Sequence, residues 1–308
     1  MIKSKEMILK MLDFRIMTFL EVCKTMNYTK AAENLNLTQP AVSQHIHWLE
    51  EQYGVKVFSY INKNLYLTEE GKQLQSAFKT MALDISYLAD SVKHKKRVLT
   101  FGTTPTVGTY LIPRPLKRYK EKFPDTNIFM HVKNTATLCR MIDDNEIDFA
   151  IVEGYVQKSD YSSLLYRSEK YLPVCSPSLN LDGKIKKMSD LLVFPLLIRE
   201  KGSGNRDIIV RSLSRYNLSP SDFQSIIEIN DIQAIKAMIA QGIGIGFLYH
   251  SAVKDDIAAG KLKEIPLEDF NEYHEFTFIW RKNSIYSEQF EKLFEMLKPV
   301  EDNKKGKA

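Results

Sequence analysis

Gln39, Pro40, Ser43, Gln44 and His47 stand at spacings that bring them to one side of a helix. Amides and hydroxyls of this kind hydrogen-bond base edges in the major groove of DNA, and a proline ring can lie against a thymine methyl. The opposite side carries Val42, Ile46 and Leu49, which a core would take. The polar side lacks the Lys/Glu mixture of an ordinary wet surface. Glu50 and Glu51 fall at the far end, where repulsion from phosphate is least.

A second group of polar residues lies further on. Thr103, Thr104 and Thr106 follow an apolar run, Asn134 and Thr135 follow another, and Ser203, Asn205 and Arg206 stand in "REKGSGNR". Each set falls where a strand gives way to a helix start, whose N–H groups favour an anion. Ordinary N-capping uses the same residue types at the same positions, so for any one residue both readings stay open. Together they suit a small anionic effector, a carboxylate metabolite or an inorganic oxyanion, with Arg206 as the cation. No catalytic constellation is visible. "GIGIG" at Gly242–Gly246 follows a helix and leads into a strand, the reverse of a dinucleotide fingerprint. "GSGNR" lacks the second half of a nucleophile elbow. The six histidines form no ligand-spaced pair with carboxylates, and three scattered cysteines build neither a disulfide framework nor a zinc site. The expectation is a non-enzyme without metal or cofactor.

The elements that must position these groups are legible in the spacing. Pro40 follows a helix-like stretch and would cost on the order of 3 kcal/mol inside a helix, but not in the first turn of one. With Thr38 as N-cap, one helix ends near Asn36 and another starts at Gln39: a helix-turn-helix, which is also found as a plain packing unit. "KVFSYINKNLYL" reads as a hairpin with Lys63 in its turn, and Thr68 caps the next helix. That helix, to about Lys96, carries Leu74, Ala77, Phe78, Met81, Ile85, Leu88 and Val92 as a near-heptad stripe. Two covers are open for it, a partner helix or the chain's own C-terminal part. Beyond residue 98, apolar runs alternate with helical patterns, as in a parallel sheet with helices on its faces.

The order "FLEVCKTMNYTKAAENLNLTQPAVSQHIHWLEEQYGVKVF…LYLTEEGKQL", Phe19 to Leu74, resembles the winged helix-turn-helix of LysR-type transcriptional regulators, and the likeness continues to about residue 298. It implies an α+β winged helix-turn-helix N-terminal domain, a long linker helix, and a C-terminal α/β two-lobed domain of periplasmic-binding-protein type. The expected limits are 1–68 for DNA binding, 69–97 for the linker, and 98–300 for the effector domain. Lobe I would comprise 98–168 and 270–300 and lobe II 169–269, with crossovers near 168 and 270. The resemblance implies that Gln39, Pro40, Ser43 and Gln44 face bases while Thr29 and Thr38 hold the backbone. Family members commonly have Arg at the place of Gln44 and of Tyr60, so phosphate anchoring falls to Lys56 or Lys63. It also implies antiparallel pairing of linker helices through Phe78, Met81, Ile85 and Leu88, assembly of a homodimer into a homotetramer, and promoter DNA as partner, with RNA polymerase a further candidate. "REKGSGNR" is closest to regulators of sulfur assimilation and carbon fixation, with Asn205 where that branch tends to have Thr.

Charge agrees with this reading. Residues 1–97 hold 14 Lys and Arg against 10 Asp and Glu, while 98–308 hold 29 against 28. The positive surplus thus sits where phosphate would be met. No apolar run reaches the ~18 residues of a membrane span, and the opening residues lack a signal peptide's long apolar core, so a cytoplasmic protein is expected. Residues 1–10 precede the resemblance, and Met11 would serve as a start; they and 301–308 are read as disordered ends. "KHKKR" at Lys93–Arg97 is read as a solvated hinge.

Overall fold

A computed structural model describes residues 12–93, 98–156, 159–179, 181, 183 and 185–299. The expected extension 1–10, most of the hinge at 93–97 and the tail 301–308 lie outside the described residues. Helices α1 (Phe14–Thr25), α2 (Tyr28–Leu35) and α3 (Gln39–Tyr53) open the fold. Their bounds are set locally. The Asn27 side chain accepts from the Lys30 N–H at 3.0 Å and Thr38 from that of Ala41 at 3.3 Å. Met26, Asn36 and Gly54 end the three helices in the left-handed conformation. Pro40 is therefore in the first turn of α3, where no N–H is missed. Phe19, Val22, Ala31, Ala32, Val42, Ile46 and Leu49 form the shared core, and the alanine pair permits a close crossing of α2.

Strands β1 (Phe58–Ile61) and β2 (Asn64–Leu67) pair antiparallel with Ile61 opposite Asn64. The turn is thus two residues, Asn62 and Lys63, both at positive φ (49° and 65°), as a primed hairpin turn demands. Helix α4 (Glu69–Lys93) follows, with the Thr68 hydroxyl accepting from the Gly71 N–H at 2.9 Å. Only glycine fits at 71, since a Cβ there would stand 2.2 Å from the Val57 carbonyl oxygen.

The apolar stripe of α4 divides in two, which corrects one expectation. Phe78 is 2% exposed and lies edge-on to Phe19 and Tyr53, at 5.9 and 6.0 Å between ring centroids. It belongs to the core of its own N-terminal domain, because α1 packs against this turn of α4, and it is not available to a partner helix. Ile85 is half-buried against the pair Leu12 and Ala82. Ala77, Met81, Leu88 and Val92 are exposed. The chain's own C-terminal part covers a different side of α4. Asp84 accepts from the Ser284 hydroxyl at 2.5 Å and the Ile285 N–H at 3.1 Å, and Tyr87 lies 4.5 Å from Tyr286 between ring centroids.

That C-terminal part is built on one sheet in the order β4-β3-β5-β11-β6-β9-β7-β8, with β10 (Lys263–Glu264) beside β6. In lobe I, β3 (Val98–Thr103) runs parallel to β4 (Asn127–Val132) and β5 (Phe149–Glu153), with helices α5 (Pro113–Lys122) and α6 (Thr135–Asp143) between them. In lobe II, β7 (Pro195–Ile198) runs parallel to β8 (Ser225–Glu228) and β9 (Ile245–Tyr249), joined through α7 (Gly204–Arg215) and α8 (Ile232–Ala240), and α9 (His250–Ala258) follows. Two long antiparallel strands, β6 (Tyr161–Cys175) and β11 (Glu272–Arg281), belong to both lobes. Their register shifts between Phe276 and Thr277, where Tyr166 is bypassed. Helix α10 (Ser287–Leu297) closes the chain onto lobe I. No described helix is long and apolar enough to cross a membrane.

Because Phe78 fills a packed aromatic position, Phe78→Ala is expected to destabilise the N-terminal domain by about 3–5 kcal/mol. Thermal unfolding of the variant, followed by Trp48 fluorescence, measures this; an unchanged midpoint would return Phe78 to the surface.

Candidate functional site

Helix α3 presents the polar side that its spacing promised. Gln39, Pro40, Gln44 and His47 are exposed and Ser43 is half-exposed. Gln39 donates from Nε2 to the Ser43 hydroxyl at 2.9 Å, which fixes the amide along the helix surface. His47 lies 3.1 Å from the Glu51 carboxylate. Thr29 is exposed in the first turn of α2, while the Thr38 hydroxyl is occupied in capping α3. The two candidate phosphate anchors differ. Lys56 pairs with Glu50 at 2.5 Å, and Glu50 also accepts the Val57 N–H at 3.0 Å, so Lys56 braces the entry to the hairpin. Lys63 stands exposed at the hairpin tip.

The second candidate site is a polar cluster between the lobes. The lobes meet directly there: Asn134 donates to Glu200 at 3.0 Å, and the Ala136 N–H donates to the Gly202 carbonyl at 3.2 Å. A Cβ on Gly204 would stand 2.1 Å from the Glu153 carbonyl oxygen, so glycine alone allows this approach. Thr103, Thr104, Thr106 and Ser203 are all buried, and among the described residues none of their hydroxyls has a hydrogen-bond partner. The same holds for both carboxylate oxygens of Glu153, for Nη1 of Arg199 and for the Tyr249 hydroxyl. A buried polar group left unpaired costs about 1–3 kcal/mol, and here many share one location.

The other expected residues of this site serve as structure. The Asn134 oxygen caps α6 by accepting the Thr137 N–H at 2.9 Å, and the Thr135 hydroxyl donates to the Glu153 carbonyl at 2.7 Å. Asn205 donates to the Phe247 carbonyl at 3.4 Å and accepts from the Tyr171 hydroxyl at 3.3 Å. Arg206 departs from expectation. It pairs with Glu228 and donates to the Arg199 carbonyl at 2.9 Å, which turns it away from the cluster toward the edge strand. The cation among the buried hydroxyls is Arg199, 1% exposed and forked onto the Glu200 carboxylate at 2.8 and 3.0 Å. Burial works against the Glu200 charge, but the hydrogen bonds from Arg199 and Asn134 outweigh it and hold the carboxyl below its ordinary range.

Glu153, Arg199 and Tyr249 were missed in the sequence, and the rule that found the threonines could have found them. "DFAIVEG" and "FPLLIREKG" each end an apolar strand on a charge, at the strand end where ligands collect. Burial pushes the Glu153 carboxyl up to about 7, with Arg199, the Asn205 N–H and the Thr106 hydroxyl near enough to offset part of the rise. Since the folded chain holds this proton more tightly than the unfolded one, the carboxyl contributes stability below its ordinary 4.5 that is lost as pH rises through about 7. Glu153→Gln lacks that loss. Its unfolding midpoint, relative to the natural chain, is expected to rise between pH 5 and pH 8 by the equivalent of at most about 3 kcal/mol. A difference that stays constant with pH would show that Glu153 is charged throughout.

Comparison with known proteins identifies the family of both parts of the chain. The family model for the lysR-family bacterial regulatory helix-turn-helix protein matches residues 15–72, and that for the LysR substrate binding domain matches 93–301. An uncharacterized HTH-type transcriptional regulator in the lacR 5' region of Staphylococcus xylosus is 28% identical over 90% of this chain and 98% of its own length. A probable RuBisCO transcriptional regulator of Nostoc sp. is 29% identical over 79% of this chain and 74% of its own. Full-length LysG of Corynebacterium glutamicum, solved with bound effector Arg, superimposes with a TM-score of 0.61 at 16% identity, covering 92% of this chain and 97% of LysG. With both parts matched, the chain belongs to the LysR family of transcriptional regulators.

Proposed function

We propose that this regulator grips promoter DNA as a dimer of winged helices, and that a small anion held between the lobes changes that grip. The observation that carries the effector reading is the set of four buried hydroxyls, Thr103, Thr104, Thr106 and Ser203, without hydrogen-bond partners among the described residues. A bound ligand would supply partners for them, and hydroxyls beside the start of α7 and the Arg199 guanidinium suit an oxyanion. Glu153 supports an anion only when protonated, since a neutral carboxyl donates a hydrogen bond where a carboxylate would repel. The groups facing it are Arg199, Glu200, Tyr171 and Tyr249. Affinity for an anion therefore falls as pH rises through about 7, whereas a ligand bringing an ammonium group would bind more tightly. The bound effector in LysG shows that a relative of this fold takes a small molecule.

Dimerisation rests on the exposed side of α4. Ala77, Met81 and Val92 form an apolar line that the N-terminal core and lobe I both leave uncovered, and a helix of this length pairs well with an antiparallel copy. Ala77→Asp with Met81→Asp is expected to give a folded monomer that binds a two-half-site operator far more weakly, as each half-site alone contributes too little. Light scattering of the natural chain decides the matter, since a monomer at assay concentration would sink the reading.

DNA reading is tested by gel retardation on the DNA upstream of the gene. Gln39→Ala should cost about 1–3 kcal/mol at the specific site and little elsewhere. Lys63→Ala should weaken all sequences and lower the salt slope by about one unit. Thr104→Val should leave ligand-free binding intact and lose the response to the anion. Unchanged operator affinity in Gln39→Ala would remove that residue from base reading.

A further inference from the structure

The lobes touch a second time, through elements other than those that join Asn134 to Glu200. Directly after Thr106, lobe I makes a wide π-helical turn, Val107–Leu111, closed by the Ile112 N–H donating to the Val107 carbonyl at 3.0 Å. Turns of this kind are rare and are found frequently at functional sites. This one carries Tyr110 across to lobe II. The ring packs against the lobe II core that holds Leu197, Ile235 and Val253. The hydroxyl accepts from Gln233 Nε2 at 2.7 Å and from Lys236 Nζ at 3.0 Å, both on α8.

Both ends of this contact are fixed in place. The Lys236 side chain is 12% exposed and pairs with Asp256 of α9 at 2.5 Å. Burial would lower its amine, but the hydrogen bonds with Asp256 and Tyr110 outweigh that and raise it, so Tyr110 meets a held cation. A hydrogen bond to a charged group is stronger than a neutral one. On the lobe I side the turn lies directly on the polar cluster. A Cβ on Gly108 would stand 2.7 Å from the Thr103 hydroxyl, one of the four without partners.

We infer that Tyr110 is a latch: with Gln233 and Lys236 it holds the two lobes shut over the polar cluster, and a small molecule reaches the cluster only when those hydrogen bonds break. What enters rests on the inter-lobe reading, whereas the latch rests on the contacts of Tyr110 alone. It slows entry without weakening binding, since the shut form is the one that brings Thr104 of lobe I and Ser203 of lobe II to one ligand.

Amide hydrogen exchange of the full chain, followed residue by residue, tests this without any ligand. The Ala136 N–H is bonded across the lobes to Gly202 and reports their opening. Asp148, bonded to Thr100, and Ile229, bonded to Ile198, report lobe I and lobe II alone. Tyr110→Phe keeps the ring and removes the acceptor. It is expected to speed exchange at Ala136 by about tenfold, the size of one charge-assisted hydrogen bond, and to leave Asp148 and Ile229 unchanged. Lys236→Met should act in the same way. Unchanged exchange at Ala136 in Tyr110→Phe overturns the latch. Equal acceleration at all three amides overturns it too, since Tyr110 would then support the fold in general. Neither result touches the effector reading, which stands or falls with Thr104→Val.

Discussion

Arg281 is where the three parts of the chain are fastened. As the last residue of β11, 3% exposed, it donates to Asp143 at the end of α6 and to Ser76 of α4 at 3.1 Å. Removing one partner of a buried ion pair typically costs about 3–5 kcal/mol, because the other charge is left stranded. The linker helix is thereby tied to a strand that passes through both lobes. Strand β11 and helix α6 both end at this guanidinium, so the linker helix meets the lobed part at the ends of both elements.

The N-terminal end of α6 faces the other way, into the contact between the lobes. Asn134 and Thr135 hold Glu200 and the Glu153 carbonyl there, and nine residues later Asp143 holds the linker. The helix is a short rigid rod between the buried polar cluster and the DNA-binding part. A ligand that alters the cluster can move the rod only by its differential affinity for the two lobe arrangements, which caps the coupling at roughly 1–3 kcal/mol.

The polar face of α3 and the polar cluster between the lobes solve opposite problems. On α3, polar side chains are exposed on a helix whose apolar side is fully used, so the face costs the fold nothing. Between the lobes, the chain buries hydroxyls and a carboxyl without hydrogen-bond partners among the described residues, and the nine-stranded sheet with its aromatic core carries that cost.

The sequence by itself determined whatever depends on a few neighbouring residues. Thr38 and Pro40 begin α3, Asn62 and Lys63 turn the hairpin, Thr68 begins α4, and the strand–helix alternation predicts a parallel sheet with helices on its faces, while the division into two lobes came from the family resemblance. Each of these but the last is a local matter of caps, φ angles and periodicity, and the family resemblance extends the same signals along the chain. The tertiary structure decided which partner each side chain takes. Phe78 shares its periodicity with Met81, yet α1 covers one and leaves the other exposed. Arg206 and Arg199 flank the same glycine-rich turn, yet Glu228 draws the first to the edge of the sheet and the second stays among the hydroxyls. Arg281 meets Ser76 across 205 residues of sequence, a pairing that no local spacing encodes because only the closed sheet brings the two ends together.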